Sequence, residues 1–393
     1  MKNKYKKIVG ISTNVLLLGI VSFLTDISSE MIAPILPMFV IALGGTGLIV
    51  GLIGGLRDSI ASILKVISGY WSDKIGKRKA FVFSGYLTSS IFNLFLAFSR
   101  AWQHILFFVS LERIGKGLRD APRDAIIADS MPKRRGMGFG VHRALDTAGA
   151  IFGAIVVFIL FWFLGFNFKQ IILVAAILAF SSLIPLHFVR EEKRKKQRMS
   201  FKRGLRSLPR PLKFFIVIAG IFALANFSYM FFILRVQEFF TGKFSIGVPI
   251  LLYLLFNIFY ALFAIPSGII SDKIGRKKVL IFGYFLFSLT ALGFALFNSL
   301  AAFIILFALY GIVYAIVVGN QRAFVSDLSS EKFRATALGT FHTTIGLVAL
   351  PASLIAGALW QITPNATFIY GSAISIIAVI LFLAFGNYFK DRK

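Results

Sequence analysis

Twelve long apolar stretches, separated by short polar connections, constrain this chain more than any other feature. A helix crossing a bilayer needs about 20 mostly apolar residues. The stretches fall at 13–42, 47–71, 80–98, 101–127, 136–164, 169–188, 214–240, 247–270, 279–297, 300–326, 335–361 and 366–388. With 58% hydrophobic and 15% charged residues, the chain is too apolar to face water over most of its surface. The expected fold is all-α and integral to the membrane. Several stretches exceed a span and carry polar groups, as helices lining an aqueous cavity would.

The net charge of +27 would suit a nucleic-acid binder, but the basic residues gather in alternate connections. Lys2, Lys4, Lys6 and Lys7 precede the first stretch. Lys74, Lys77, Arg78 and Lys79 follow the second, and Lys133, Arg134 and Arg135 the fourth. Eleven Lys and Arg lie between Arg190 and Lys213, and further clusters fall at Lys273 to Lys278 and Lys390 to Lys393. The remaining connections carry almost no charge. Both termini are therefore expected in the cytoplasm of a cell with an inner (cytoplasmic) membrane. The expected surroundings are lipid bilayer and a small-molecule substrate, with no nucleic-acid partner and a monomeric chain. No cleavable leader is expected, because the first apolar stretch has full span length and lacks a small-residue cleavage pattern. Cysteine is absent from the sequence, which excludes disulfides and thiolate chemistry.

The sequence also repeats itself. GYWSDKIGKRK at 69–79 returns as GIISDKIGRKK at 268–278, and the same offset pairs Arg123 with Arg322, Arg135 with Arg334 and Gly140 with Gly339. Coincidences at one offset imply duplicated halves. The expected domains are a six-helix half at 1–188, a basic cytoplasmic linker at 189–213 and a second six-helix half at 214–393.

With these residues in view, the chain resembles the major facilitator superfamily over essentially its whole length. Gly69, Asp73, Lys74, Gly76, Lys77 and Arg78 fill the family's loop pattern between helices 2 and 3, and Gly268, Asp272, Lys273, Gly275, Arg276 and Lys277 fill it again. Arg113 to Gly117 resembles the family's helix 4 element, with Lys116 where Gln is usual. Pro34 and Pro37 resemble the Pro-x-x-Pro of drug:proton antiporters; Gly149-x-x-x-Gly153 resembles their helix 5 motif, but Ala154 replaces the following Pro. The resemblance implies two pseudo-symmetric six-helix bundles that alternate access to a central cavity. It implies a gating latch at Gly69, Asp73, Gly76 and Arg78, with Asp129 and Arg143 in support, and its counterpart at Asp272, Gly275 and Arg276.

Charge inside a membrane is costly and points to a partner or a function. Asp26 and Glu30 are one helical turn apart, and Arg57 and Asp58 sit within the second stretch. The fourth stretch carries Arg113, Lys116, Asp120 and Asp124 on one face, with Arg123 at its margin; the fifth carries His142, Arg143 and Asp146. Asp26, Glu30, Arg57, Asp58, Arg113, Lys116 and Asp146 are the candidates for substrate and proton coupling. The second half instead offers Tyr310, Tyr314 and Gln321 on one helix face, a wall suited to an organic body. The expected function is secondary active transport, coupled to protons, of a small organic solute carrying an anionic group. A polyspecific drug/proton antiporter and a transporter-like solute sensor are the competing readings. No nucleotide-binding loop, metal-binding spacing or nucleophile elbow is found in the sequence. Neither an enzyme nor a cofactor or metal is expected; an ion gradient would supply the driving force.

Overall fold

The computed structural model describes residues 7–8, 10–132, 134–191, 208–330 and 334–385. Most of the linker expected at 189–213, Lys133 and the basic residues at both ends lie outside the described residues. Helices fill the rest, apart from a two-strand hairpin of β1 (Lys7–Ile8) and β2 (Ile11–Ser12).

Among the described residues fifteen helices make the twelve spans, because three spans are broken. The first span comprises α1 (Thr13–Ile32) and α2 (Leu36–Ala42). Four unbroken spans follow: α3 (Gly47–Ile75), α4 (Arg78–Leu96), α5 (Trp102–Ser130) and α6 (Arg135–Trp162). The sixth comprises α7 (Phe168–Ser181) and α8 (Leu183–His187), and the seventh α9 (Arg210–Ala225) and α10 (Met230–Gln237). The last five are α11 (Phe244–Ile274), α12 (Arg276–Leu296), α13 (Leu300–Asp327), α14 (Arg334–Ile362) and α15 (Pro364–Ala384). Ten spans are long and apolar enough to cross a membrane by composition. The other two are α4, rich in Ser, Thr, Tyr and Asn, and α5, rich in charge.

Local sequence sets these boundaries. Pro34 lies in the turn after α1, where its missing N–H leaves no ladder bond to lose. Asn167 and Gln170 form a reciprocal capping box that starts α7: the Asn167 side chain accepts from Gln170 N at 3.1 Å, and Gln170 Oε1 accepts from Asn167 N at 2.9 Å. Gly76 and Gly275, at φ 75° and 97°, end α3 and α11 in a conformation that penalises any residue with a Cβ.

The chain forms two compact units. One holds residues 1–44 and 60–198; the other holds 45–59 and 199–393. The first fifteen residues of the second unit thus come from the start of α3 and the turn before it. In the first unit, α1 packs on α6 and α7, and α4 on α5 and α7. The second unit repeats the scheme: α9 packs on α14 and α15, and α12 on α13 and α15. Close crossings rely on glycine. A Cβ on Gly85 would lie 2.6 Å from the Gly115 carbonyl oxygen, and one on Gly115 would lie 2.6 Å from that of Gly85, so α4 and α5 touch backbone to backbone. The first unit's core groups Val15, Leu18, Val82, Tyr86 and Ile127. The second is packed with aromatic rings, including Phe222 stacked on Tyr284 at 3.9 Å.

Candidate functional site

Three groupings of polar side chains stand out among the described residues: one in the first unit, one in the second, and one that occurs once in each.

The first lies between α1 and α6 and continues along α5. It exists because α6 carries Gly149 and Gly153. A Cβ at Gly149 would lie 2.6 Å from the Phe23 carbonyl oxygen and 3.1 Å from Asp26 Cβ; one at Gly153 would lie 2.6 Å from the Ile27 oxygen and 3.0 Å from Glu30 Cβ. The two glycines therefore draw the acidic turn of α1 onto α6, one turn from Asp146. Ser22, almost wholly buried, bridges the carboxylates: its Oγ is 3.0 Å from Asp146 Oδ1 and 3.3 Å from Asp26 Oδ2. One hydroxyl proton faces two acceptors, so the arrangement has a place for one more proton. Arg143 donates to Asp146 Oδ2 at 2.5 Å.

Along α5, Lys116 shares the fields of Asp26 and Asp120. Arg123 bonds Asp124 at 3.0 Å and stands 3.7 Å from Asp120, while Lys65 of α3 reaches Asp124 at 3.8 Å. Arg113 Nε lies 2.8 Å from Glu112 Oε2, with both side chains buried. Arg119 donates to Ser89 Oγ at 2.8 Å, and its guanidinium lies over the Tyr86 ring at 4.2 Å. His142 is buried one turn from Asp146. Across this cluster Lys65, Arg113, Lys116, Arg119, Arg123 and Arg143 face Asp26, Glu30, Glu112, Asp120, Asp124 and Asp146, six charges of each sign. Glu30 sits half-buried at the end of the acidic turn.

The second grouping lies in the second unit. The seventh span breaks at 226–229, where Ser228 N donates to Ser353 Oγ of α14 at 3.2 Å. Asn226 Oδ1 is buried there with no hydrogen-bond partner among the described residues. Arg57 is buried with its guanidinium 5.9 Å from the Tyr229 ring, and the exposed Asp58 acts on the Tyr310 and Tyr314 hydroxyls. Tyr310 and Tyr314 meet edge to face at 5.1 Å, as expected for neighbours on one helix face. Their exposures differ: Tyr310 is buried in a stack with Phe232, and Tyr314 is half-buried. Gln321 does not join them; its Nε2 donates to the Tyr284 hydroxyl at 2.8 Å, which ties α13 to α12.

The third grouping is the duplicated loop. In the first unit Arg78 bonds Asp73 through Nε at 2.8 Å and Asp129 through Nη1 at 2.5 Å. Its backbone N–H, with that of Lys79, donates to Glu191. A Cβ on Gly69 would stand 3.2 Å from Ala121, so this residue keeps α3 near α5. In the second unit Arg276 bonds Asp272 at 2.9 Å and also reaches Asp327 and Ser271. Arg143, expected in support of the latch, bonds Asp146.

Sequence reasoning passed over Ser22, Glu112, Glu191 and Asp327. Glu112 was open to discovery, since a lone Arg within an apolar span calls for a carboxylate nearby. Asp327 was hidden by the repeat itself, because the offset of 199 carries Asp129 to Leu328.

A multi-pass bundle of two similar six-helix halves, with charge buried in one and a duplicated Asp–Arg–Asp bridge beside the membrane-spanning helices, is the architecture of a membrane transporter. The profile of the Major Facilitator Superfamily matches residues 18–250 and 218–393, and the chain belongs to that family. An MFS-type transporter of Methanocaldococcus jannaschii is 56% identical over 377 residues, 95% of each chain. Multidrug resistance protein MdtH of Baumannia cicadellinicola is 32% identical over 153 residues, 38% of this chain and 36% of its own. Among solved structures, a POT family transporter in complex with 5-aminolevulinic acid superposes with a TM-score of 0.83 at 15% identity, covering 98% of this chain and 99% of its own. The nucleoside transporter NupG gives 0.78 at 15% identity, covering 96% and 100%. At such identities the two structures speak for the fold alone.

Proposed function

We propose that this transporter is a secondary one, driven by a proton gradient without a cofactor, which carries a small organic solute by alternating access between its halves. The observation that carries the coupling is the Asp26–Ser22–Asp146 bridge: two carboxylates in a membrane-spanning bundle, drawn together by a glycine seam, sharing a single hydroxyl. Loading and releasing one proton there changes the sum of a cluster that otherwise balances, and such a change can bias which conformation is favoured. The alternation of basic and uncharged connections supports a cytoplasmic-membrane location with both termini in the cytoplasm. The two Asp–Arg–Asp bridges support the latch reading of the duplicated loop, with Arg78 and Arg276 as its cations.

The solute's charge is a separate matter. Arg113 and Lys116 would attract an anionic group, but Arg113 is already ion-paired with Glu112, and Lys116 lies in the fields of Asp26 and Asp120. That local balance removes most of the support for an anionic solute. The partial match to MdtH favours a second reading, a drug/proton antiporter, which would use the same proton site.

Reconstituted into proteoliposomes, the protein should move solute when a pH gradient is imposed, measured directly or as a solute-dependent change in internal pH. Asp26→Asn and Asp146→Asn should each abolish the gradient-driven component while leaving exchange of solute across the membrane. Full gradient-driven movement in both variants would remove the proposed proton site.

A further inference from the structure

The break in the seventh span leaves more than an interruption. Beside it stand three half-buried rings of the second unit: Tyr229, the last residue of the break, Tyr260 of α11 and Tyr314 of α13. Tyr260 meets Tyr314 edge to face at 6.2 Å, and Tyr229 joins them through Tyr253, at 5.6 Å, and Phe256, which lies 5.8 Å from Tyr253 and 5.2 Å from Tyr314. Their faces carry the negative side of an aromatic quadrupole. The charges at this wall are Arg57 and Asp58, consecutive on α3 and hence pointing about 100° apart. Arg57 is the buried one, 8% exposed against the Tyr229 ring, whereas Asp58 is exposed. The accessible charge is therefore negative. Two buried polar atoms here lack a partner among the described residues: the Tyr310 hydroxyl, inside the ring stack, and Asn226 Oδ1 at the break, which is an acceptor only. Rings, carboxylate and amide oxygen all favour the same chemistry: a cationic or N–H-donating head joined to a flat apolar body.

We propose that the second unit holds a binding site for an organic cation carrying an aromatic ring, with Asp58 taking the cationic head, Tyr229, Tyr260 and Tyr314 the body, and Asn226 Oδ1 an N–H. The proposal rests on the transport reading above and names its solute class. Arg57 sets the orientation: it covers one end of the wall, so the head lies toward Asp58 and the ring toward the break.

The test uses purified full-length protein in detergent, without any pH gradient, and four probes: 4-phenylbutylammonium, its neutral analogue 4-phenylbutanol, the anion 4-phenylbutyrate, and ring-free butylammonium. Equilibrium titration should rank the phenylalkyl cation about tenfold tighter than the alcohol and than butylammonium. In Asp58→Asn the cation should fall to the affinity of the alcohol, while the alcohol itself is unchanged. Tyr314→Phe should keep the ring preference, and Tyr314→Ala should weaken both ring-bearing probes. Unchanged alcohol binding shows that the Asp58→Asn protein is folded, so a lost cation preference reads out the carboxylate alone. Tightest binding of phenylbutyrate, or an intact cation preference in Asp58→Asn, would overturn the proposal. Because binding needs no gradient, the two readings fail separately. Cation binding without gradient-driven uptake would leave this site and remove proton coupling; uptake without cation preference would do the reverse.

Discussion

Replacing Gly149 by alanine asks how much of the proton site depends on one missing methyl group. The added Cβ would lie 2.6 Å from the Phe23 carbonyl oxygen and 3.1 Å from both Asp26 Cβ and Phe23 Cα. Backbone atoms cannot step aside, so α1 and α6 must part by about 0.8 Å to restore ordinary contact. Overpacking of this kind costs roughly 1–3 kcal/mol. The shift falls on the segment that carries Asp26, and the Ser22 bonds at 3.0 and 3.3 Å have little length to spare before they cease to be hydrogen bonds. Two effects are expected together. Thermal unfolding in detergent should begin several degrees lower, since about 2 kcal/mol shifts the midpoint of a unit this size by roughly 4–8 °C. The dependence of transport on pH should also move, because the carboxylates no longer share one hydroxyl. Gly138→Ala is the control on the same helix: its Cβ would meet nothing nearer than 3.5 Å, and neither readout should change. If Gly149→Ala matches Gly138→Ala in both melting and pH profile, the glycine seam does not place the carboxylates.

Arg78→Ala and Arg276→Ala remove the cations of the two latches; each leaves two aspartates facing each other and should change transport rate more than solute affinity, measured as kcat against KM, while an effect confined to KM would count against a latch. Gln321→Leu breaks the bond to the Tyr284 hydroxyl and should lower the melting midpoint, at a cost of about 1–3 kcal/mol for the stranded hydroxyl, without altering solute affinity; a selective affinity loss would return Gln321 to the binding site.

The twelve spans could be read from the sequence to within about four residues at each end, because lipid allows a backbone few alternatives to a helix. The proton site was legible only in part. Asp26, Asp146 and the Gly149–Gly153 pair were each visible, but which face of α1 meets that glycine seam depends on how two helices rotate about their axes. Ser22 could not be picked out from other serines without that angle. Arg57 and Asp58 illustrate a different limit. They sit on the same helix as Lys65, yet Lys65 bonds Asp124 in the first unit while they join the second. Hydropathy marks where a helix lies and is blind to which neighbours share it. The break at 226–229 lacks Pro and Gly, the usual punctuation, so no local signal announced it.

The turn between α3 and α4 holds two residues, Gly76 and Lys77, and its counterpart between α11 and α12 holds only Gly275. One residue fewer would turn every later side chain by about 100° if position in the alignment were what had been kept. Arg78 and Arg276 do not align at the offset of 199, yet each is the opening residue of its helix, and each grips an aspartate on either side. Common descent here has preserved an address counted from the helix start, and let the sequence slide beneath it. Swapping the two turns with their opening arginines, as whole pieces, should therefore be tolerated better than exchanging residues one by one according to the repeat.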